Sequence, residues 1–330
     1  MKWRCTYIVI SVGRNIAERL GCLAKEQEGS RVTVSFASVV ARDAWGEALV
    51  QDLEKAGVDA SRVKAVPVRA LSDDEEAVAP EPVSTATYTA IHNSDGDLVV
   101  SAGDFSILKY FNEGDVEALR SSGALQGAAV VVVDGNFDPP VFASLAAAVD
   151  EIKASTGAQT PLLAFEPTSD HKCTLPIDAG HLLSSVDIVK PNLSELMIML
   201  ARAGAGGEDL EAANRQLAEG REVGIPTIEA LAGAMLRQMS SGSETEAKGK
   251  GKKHVIVSMG DRGVVWARTG GQVTHIPLGE YAVSPDSIQN SNGCGDAFCA
   301  GLMLDTAESG DVGEKGVRLG FEAATAQLLR

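Results

Sequence analysis

The sequence predicts a doubly wound, mainly parallel α/β sheet with a small β lid, and three observations predict it. Short β-type runs alternate with longer helical ones. One run, Val130 to Val133, is continuously apolar, as expected of a strand buried on both faces. A hairpin pattern interrupts the alternation: Thr85 to Ile91 and Leu98 to Ala102 flank Asn93-Ser94-Asp95-Gly96-Asp97, which carries Asp-Gly turn chemistry.

Taken in order, Arg31 to Val40 is β-rich, and Asp43 to Ala56 reads as an amphipathic helix ended by Gly57. The lid falls at about 84–104. After Val133 a helix is expected from Pro140 to Ala154, then strands at Pro161 to Phe165, Val186 to Val189 and His254 to Ser258. Two low-complexity stretches, about 72–82 (acidic, with prolines) and 240–253 (polar with a basic end), read as solvated insertions. The chain reads as one domain spanning 1–330. Ligands of such sheets bind at the carboxyl ends of the strands. Functional residues are therefore expected just after Val133, Phe165, Val189 and Ser258.

Composition narrows the function. With 29 basic and 45 acidic side chains, the 330-residue chain carries a formal charge of −16. Its one basic run, Lys248 to Lys253, is too short to attract a nucleic acid polymer, whereas a nucleoside or nucleotide remains compatible. The five cysteines form no CxxC pair and suggest a reducing compartment. No apolar run approaches the roughly 18–20 residues that span a bilayer. A cytoplasmic enzyme is the expectation.

Asn290-Ser291-Asn292-Gly293-Cys294-Gly295-Asp296 is the sharpest feature, followed by a helix expected from Ala297 to Ala307. Two glycines allow close backbone approach to a ligand, and the unpaired amides and dipole of a helix start favour an anion. Asp296 at that point can take a proton from an attacking hydroxyl. A plain helix start capped by Asp296 is the competing reading.

The segment resembles the second signature of the PfkB, or ribokinase-like, carbohydrate kinases, D-T-x-G-A-G-D. Asn290 stands for the first Asp, Ser291 for Thr and Cys294 for Ala. Arg42-Asp43-Ala44-Trp45-Gly46 with Leu53 and Gly57-Val58-Asp59 is similar to the family's G-x-D-x-x-G…L…G-V-D stretch. Lys190-Pro191-Asn192-Leu193-Ser194-Glu195 resembles its N-x-x-E motif, and Ser258-Met259-Gly260-Asp261-Arg262-Gly263 its nucleotide-side turn. Details resemble the pseudouridine kinase subfamily: Val12-Gly13-Arg14-Asn15-Ile16-Ala17, Ser84-Thr85-Ala86-Thr87-Tyr88, Asp134-Gly135-Asn136, and Glu166-Pro167-Thr168-Ser169 with Lys172.

The resemblance implies transfer of the ATP γ-phosphate to the 5′-hydroxyl of a ribosyl nucleoside, with pseudouridine first among the acceptors. Asp296 would be the base, and the amides of Gly293, Cys294 and Gly295 the phosphoryl cradle. Asn192, Ser258, Gly260, Gly263 and Asn290 would lie on the ATP side. Glu195 would hold Mg²⁺ through water. Asn15, Thr87 and Asn136 would meet the substrate, and Lys172 a phosphate or the base. Simpler readings stand beside these: a helix cap for Asn15, a first-turn carboxylate for Glu195, a tight turn at 258–263, surface polar residues at Thr87 and Asn136, a solvated lysine at Lys172, and a small structural thiol at Cys294. A monovalent cation and a lid-mediated homodimer are open expectations.

The chain also departs from the family. Val12-Gly13-Arg14-Asn15 arrives almost at once, with Ile10 and Ser11 where glycines are expected. The fold is thus expected to be incomplete at the N-terminus, lacking the first strand, the substrate-binding Asp and half of the lid. The C-terminus falls in what reads as the penultimate stretch of helix. Two alternatives follow: a ribokinase-like kinase for another nucleoside or sugar, and a catalytically impaired nucleotide-binding relative.

Overall fold

The computed structural model describes residues 3–8, 12–68, 83–92, 98–155, 160–241, 252–289 and 291–329. The chain opens with β1 (Trp3–Ile8), α1 (Val12–Glu26), β2 (Val32–Ala41), α2 (Ala44–Ala56) and β3 (Val58–Val66). Helix α2 starts and stops as its sequence dictates. Asp43 caps it by accepting from Gly46 N at 2.7 Å, and Gly57 closes it at φ 88°. The hairpin β4 (Thr87–His92) and β5 (Leu98–Asp104) pairs antiparallel as a separate two-stranded sheet. Its turn residues, and the insertion at 72–82, lie outside the described residues.

Helix α3 (Glu113–Ser121) leads into β6 (Ala128–Asp134), α4 (Pro139–Ser155), β7 (Leu162–Glu166), α5 (Leu175–Asp178) and β8 (Ile188–Val189). Then come α6 (Leu193–Arg202), α7 (Gly207–Ala218), α8 (Ile225–Ser240), β9 (His254–Ser258), β10 (Val264–Arg268), β11 (Thr274–Ile276), α9 (Cys294–Ser309) and α10 (Glu314–Leu328). The main sheet runs β11-β10-β9-β8-β7-β6-β1-β2-β3. Its strands pair in parallel from β9 to β3, and only β10 is antiparallel to its neighbours. Val130 to Val133 are fully buried at its centre, which explains their continuous apolar run.

Two sequence expectations change here. The first strand is not missing: Trp3–Ile8 lies between β2 and β6, in parallel register with both. The run was hard to read because it mixes polar and apolar residues and lacks the glycine-rich exit. The polar stretch at 240–253 is not solvated throughout. Residues 242–251 lie outside the described set, but Lys253 is buried, donating to Asp187 at 3.0 Å and to the carbonyls of Ser184 and Val186. Lys252 pairs with Asp311. These two ammonium groups close internal contacts and offer no basic patch. No described helix is long and apolar enough to cross a membrane.

Chain order sets the position of the crevice. From β1 the sheet grows outward through β2 and β3, then returns to the other side of β1 with β6 and grows the opposite way. The switch point lies between β1 and β6, where ligands of such sheets bind at the carboxyl ends.

Candidate active site

Asn15 and Asp296 meet at this crevice although 281 residues separate them, with Asn15 Nδ2 donating to Asp296 Oδ2 at 2.8 Å. Asn15 is the fourth residue of α1, inside its first turn, so it does not cap the helix. Asp296 is the third residue of α9, and the cap is Gly293 in the left-handed region at φ 77°. A side chain there would meet nothing closer than 3.8 Å, so backbone conformation rather than space asks for glycine. The helix starts three residues earlier than the sequence suggested, at Cys294. Its first intrahelical bond runs from Ala297 N to Gly293 O at 2.9 Å. The amides before Ala297 therefore have no intrahelical acceptor and sit at the positive end of the helix. The Cys294 amide also reaches Ser291 O at 3.4 Å.

A cavity of about 400 Å³ opens beside this pair, lined in part by Arg14, Asn15, Gly293 and Asp296. Burial raises the Asp296 pKa, while the Asn15 hydrogen bond and the Lys190 charge act against it. Asp296 is therefore more basic than an ordinary aspartate. Burial likewise pushes the Cys294 thiol up, with Asp296 adding to it, so that thiol is no ready nucleophile.

Asp134, at the end of β6, is fully buried and ties several segments together. It accepts from Gly13 N at 3.2 Å, which fixes the start of α1, and from Asn136 N and Nδ2. Burial raises its pKa to about 7 against these hydrogen bonds. Asn136 in turn accepts from Lys172 Nζ at 2.5 Å. Lys172 is not a solvated lysine: its ammonium sits 4.4 Å from the centre of the Phe105 ring, just past the lid. Burial lowers its pKa against the pull of Asp134.

The loops behind these residues are locked together. Gly135 N donates to Thr168 Oγ1 at 2.9 Å, and a Cβ on Gly135 would stand 2.6 Å from Pro167 O. Thr168 pays with φ 73°, a strained value for a β-branched residue of the kind that clusters at functional sites.

On the far side of the crevice, Asn192 caps α6. Its side chain accepts from Glu195 N at 2.9 Å, and Glu195 Oε2 accepts from Asn192 N at 2.8 Å. The first-turn role expected as the alternative for Glu195 is thus realised as a capping box. Glu195 is buried, and burial raises its pKa. Ser258 ends β9, Gly260 opens a 3-10 turn at φ 61°, and Gly263 closes it at φ 82°.

The structure does not unite every expected residue. Thr87 stands exposed on β4 and does not line the cavity, whereas Thr85 is buried and pinned to Asp43 at 2.7 Å. Both ends of the Asn136 amide serve Asp134 and Lys172. Asn290 lies outside the described residues. Sequence reasoning also gave no role to the buried pair of Glu166 and Lys190, 3.0 Å apart at the ends of β7 and β8. The signal was present: each charge directly follows an apolar strand.

Residues 226–330 match the model of the pfkB family carbohydrate kinases. An Escherichia coli protein, "Uncharacterized sugar kinase YeiI", is 27% identical over 192 residues, or 58% of this chain and 43% of the relative. The chain thus spans less than half the length of that curated relative. The structure is similar to adenosine kinase from Schistosoma mansoni in complex with 2-fluoroadenosine, with TM-score 0.69, 15% identity, and 97% of this chain and 79% of that one covered. It is also similar to ribokinase from Thermotoga maritima, with TM-score 0.62, 14% identity, and 100% and 94% covered. The fold is ribokinase-like, and the pfkB match covers about a third of the chain.

Proposed function

We propose that this chain is an ATP-dependent kinase acting on a hydroxyl of a sugar or nucleoside, with the 5′-hydroxyl of pseudouridine as the leading acceptor. One observation carries the reading: Asp296, half-buried at the start of α9, is held at one oxygen by Asn15 beside a cavity lined by α1 and the start of α9. In this reading the chain works as one catalytic unit, with β4–β5 as its lid.

The acceptor hydroxyl gives its proton to Asp296 Oδ1, since Oδ2 is engaged by Asn15. General base catalysis of this kind is worth about 10²–10⁴-fold. The first-turn amides around Gly293, Cys294 and Gly295 receive the charge of the phosphoryl group in transit, each worth roughly 10²–10³ in rate. Asn15 orients the carboxylate and meets the ribose. Lys172, set by Asn136 and Phe105, faces the acceptor. Asn192, Ser258, Gly260 and Gly263 shape the ATP side.

In this reading Mg²⁺ is the partner of the phosphates. Among the described residues no three metal-ligating side chains cluster, so the reading rests on Glu195, a carboxylate of the kind that suits an ion keeping most of its water. Glu195 would hold it through water, and the ion would neutralise charge on the phosphates.

The adenosine kinase likeness keeps other nucleosides, and the sugar-kinase relative keeps sugars, as alternative acceptors. ATP consumption is measured with pseudouridine, uridine, adenosine and ribose, with and without Mg²⁺. Mg²⁺-dependent turnover with pseudouridine is expected. Turnover with ribose or adenosine alone would reassign the acceptor, and no turnover by folded protein would overturn the kinase reading.

A further inference from the structure

Glu166 and Lys190 lie on neighbouring parallel strands and emerge together at the edge of the sheet where the crevice opens. Their side chains are 8% and 4% exposed, so the pair is nearly dry. Such a pair is weak as a device for stability, because desolvating two charges offsets most of their attraction. Its position is more telling than its strength. The Lys190 ammonium lies 3.9 Å from where a Cβ on Gly295 would stand, directly against the start of α9.

The charges around it do not balance. Glu166 from β7 pairs with Lys190, and the ammonium's charge also reaches Glu195 on α6 and Asp296 on α9. One ammonium therefore serves three carboxylates. Only Glu166 stands within ion-pair distance among the described residues, although an ammonium has three N–H donors. An incoming phosphoryl group brings several acceptor oxygens to this spot.

We propose that Lys190 is a further catalytic residue, whose buried ammonium donates to the phosphoryl group in transit, and that Glu166 is the positioning residue holding it against α9. The proposal rests on the kinase reading above. In the step, the acceptor oxygen bonds to the γ-phosphorus and the bond from that phosphorus to the bridging oxygen breaks. The electron pair leaves with ADP, and the acceptor proton passes to Asp296. Lys190 keeps its proton throughout and contributes hydrogen bonds and charge. Glu166 keeps the ammonium in place when no phosphate is bound.

The test uses Lys190→Met, and the double variant Lys190→Met with Glu166→Gln, which leaves no uncompensated charge should the single variant fail to fold. Circular dichroism checks folding. Calorimetry compares MgADP with the Mg²⁺ complex of the non-hydrolysable triphosphate AMP-PNP. Wild type is expected to prefer the triphosphate, and the folded variant to lose about tenfold of that preference. With the acceptor that supports turnover, kcat is expected to fall about 10²–10³-fold while the acceptor KM holds. A folded variant with wild-type triphosphate preference, or with kcat within threefold of wild type, would overturn the role of Lys190. The binding comparison decides the matter even if wild type turns nothing over, an outcome that would sink only the kinase reading.

Discussion

The two ends of the sheet bury charge in opposite ways. At the amino ends, Asp187 accepts from Lys153 Nζ at 2.6 Å, Lys253 Nζ at 3.0 Å and Leu163 N at 2.8 Å. Lys253 spends its other donors on the carbonyls of Ser184 and Val186. Nearby, Trp266 Nε1 donates to His254 Nδ1, so the ring is the neutral tautomer that donates from Nε2 to Asp311. Burial lowers its pKa and agrees with that neutral form. At the carboxyl ends the account stays open. Burial raises Asp134 to about 7 and Glu166 to about 8, and also raises Glu195 and Asp296. The same strands and similar burial give one end whose polar groups satisfy each other and another whose carboxylates compete for Lys190. The difference teaches that burial by itself does not set the charge balance; the partners that the fold brings to each end do.

The largest effect should come from the carboxyl ends. Asp296→Asn is expected to lose about 10²–10⁴-fold in kcat with folding intact, since a neutral amide replaces a carboxylate that burial disfavours. Steady-state kinetics and thermal melting check both halves, and retained activity would remove Asp296 from the base role. At the amino ends the loss should appear in stability instead. Asp187→Ala removes the carboxylate shared by Lys153 and Lys253, leaving buried Lys253 with carbonyl acceptors alone, and is expected to cost about 3–5 kcal/mol in urea unfolding. Activity per folded molecule should be unchanged there, and a fall in kcat would erase the contrast between the ends.

The smallest effect concerns pH. With Asp134 raised to about 7, the folded chain holds a proton that the unfolded chain releases near 3.8. Its contribution to stability is therefore full below the unfolded value and declines as pH rises towards 7. Asp134→Asn should flatten that part of the decline, as read by melting temperature across pH 5 to 8. An unchanged slope would show that Asp134 is ionised in the folded chain.

Much of the architecture was written locally. Asp43 and Gly57 bound α2, the Val130 to Val133 run marked a central strand, and Gly293 to Asp296 marked the start of a helix. Local signals failed where a contact spans the chain. Trp3–Ile8 reads as a central strand only once β2 and β6 stand on either side of it. Lys253 reads as solvated until Asp187 and the Ser184 and Val186 carbonyls reach it.

By itself, the sequence determined the alternation of strands and helices, the lid hairpin and the residue types at the crevice, because caps, turns and apolar periodicity act over a few residues. Tertiary structure decided which of those residues meet. It joined Asn15 to Asp296, spent Asn136 on Asp134 and Lys172, left Thr87 exposed, and set Lys190 against the start of α9. The physical reason is that charge and hydrogen-bond balance depend on neighbours brought together from distant segments, and burial then magnifies every imbalance that remains.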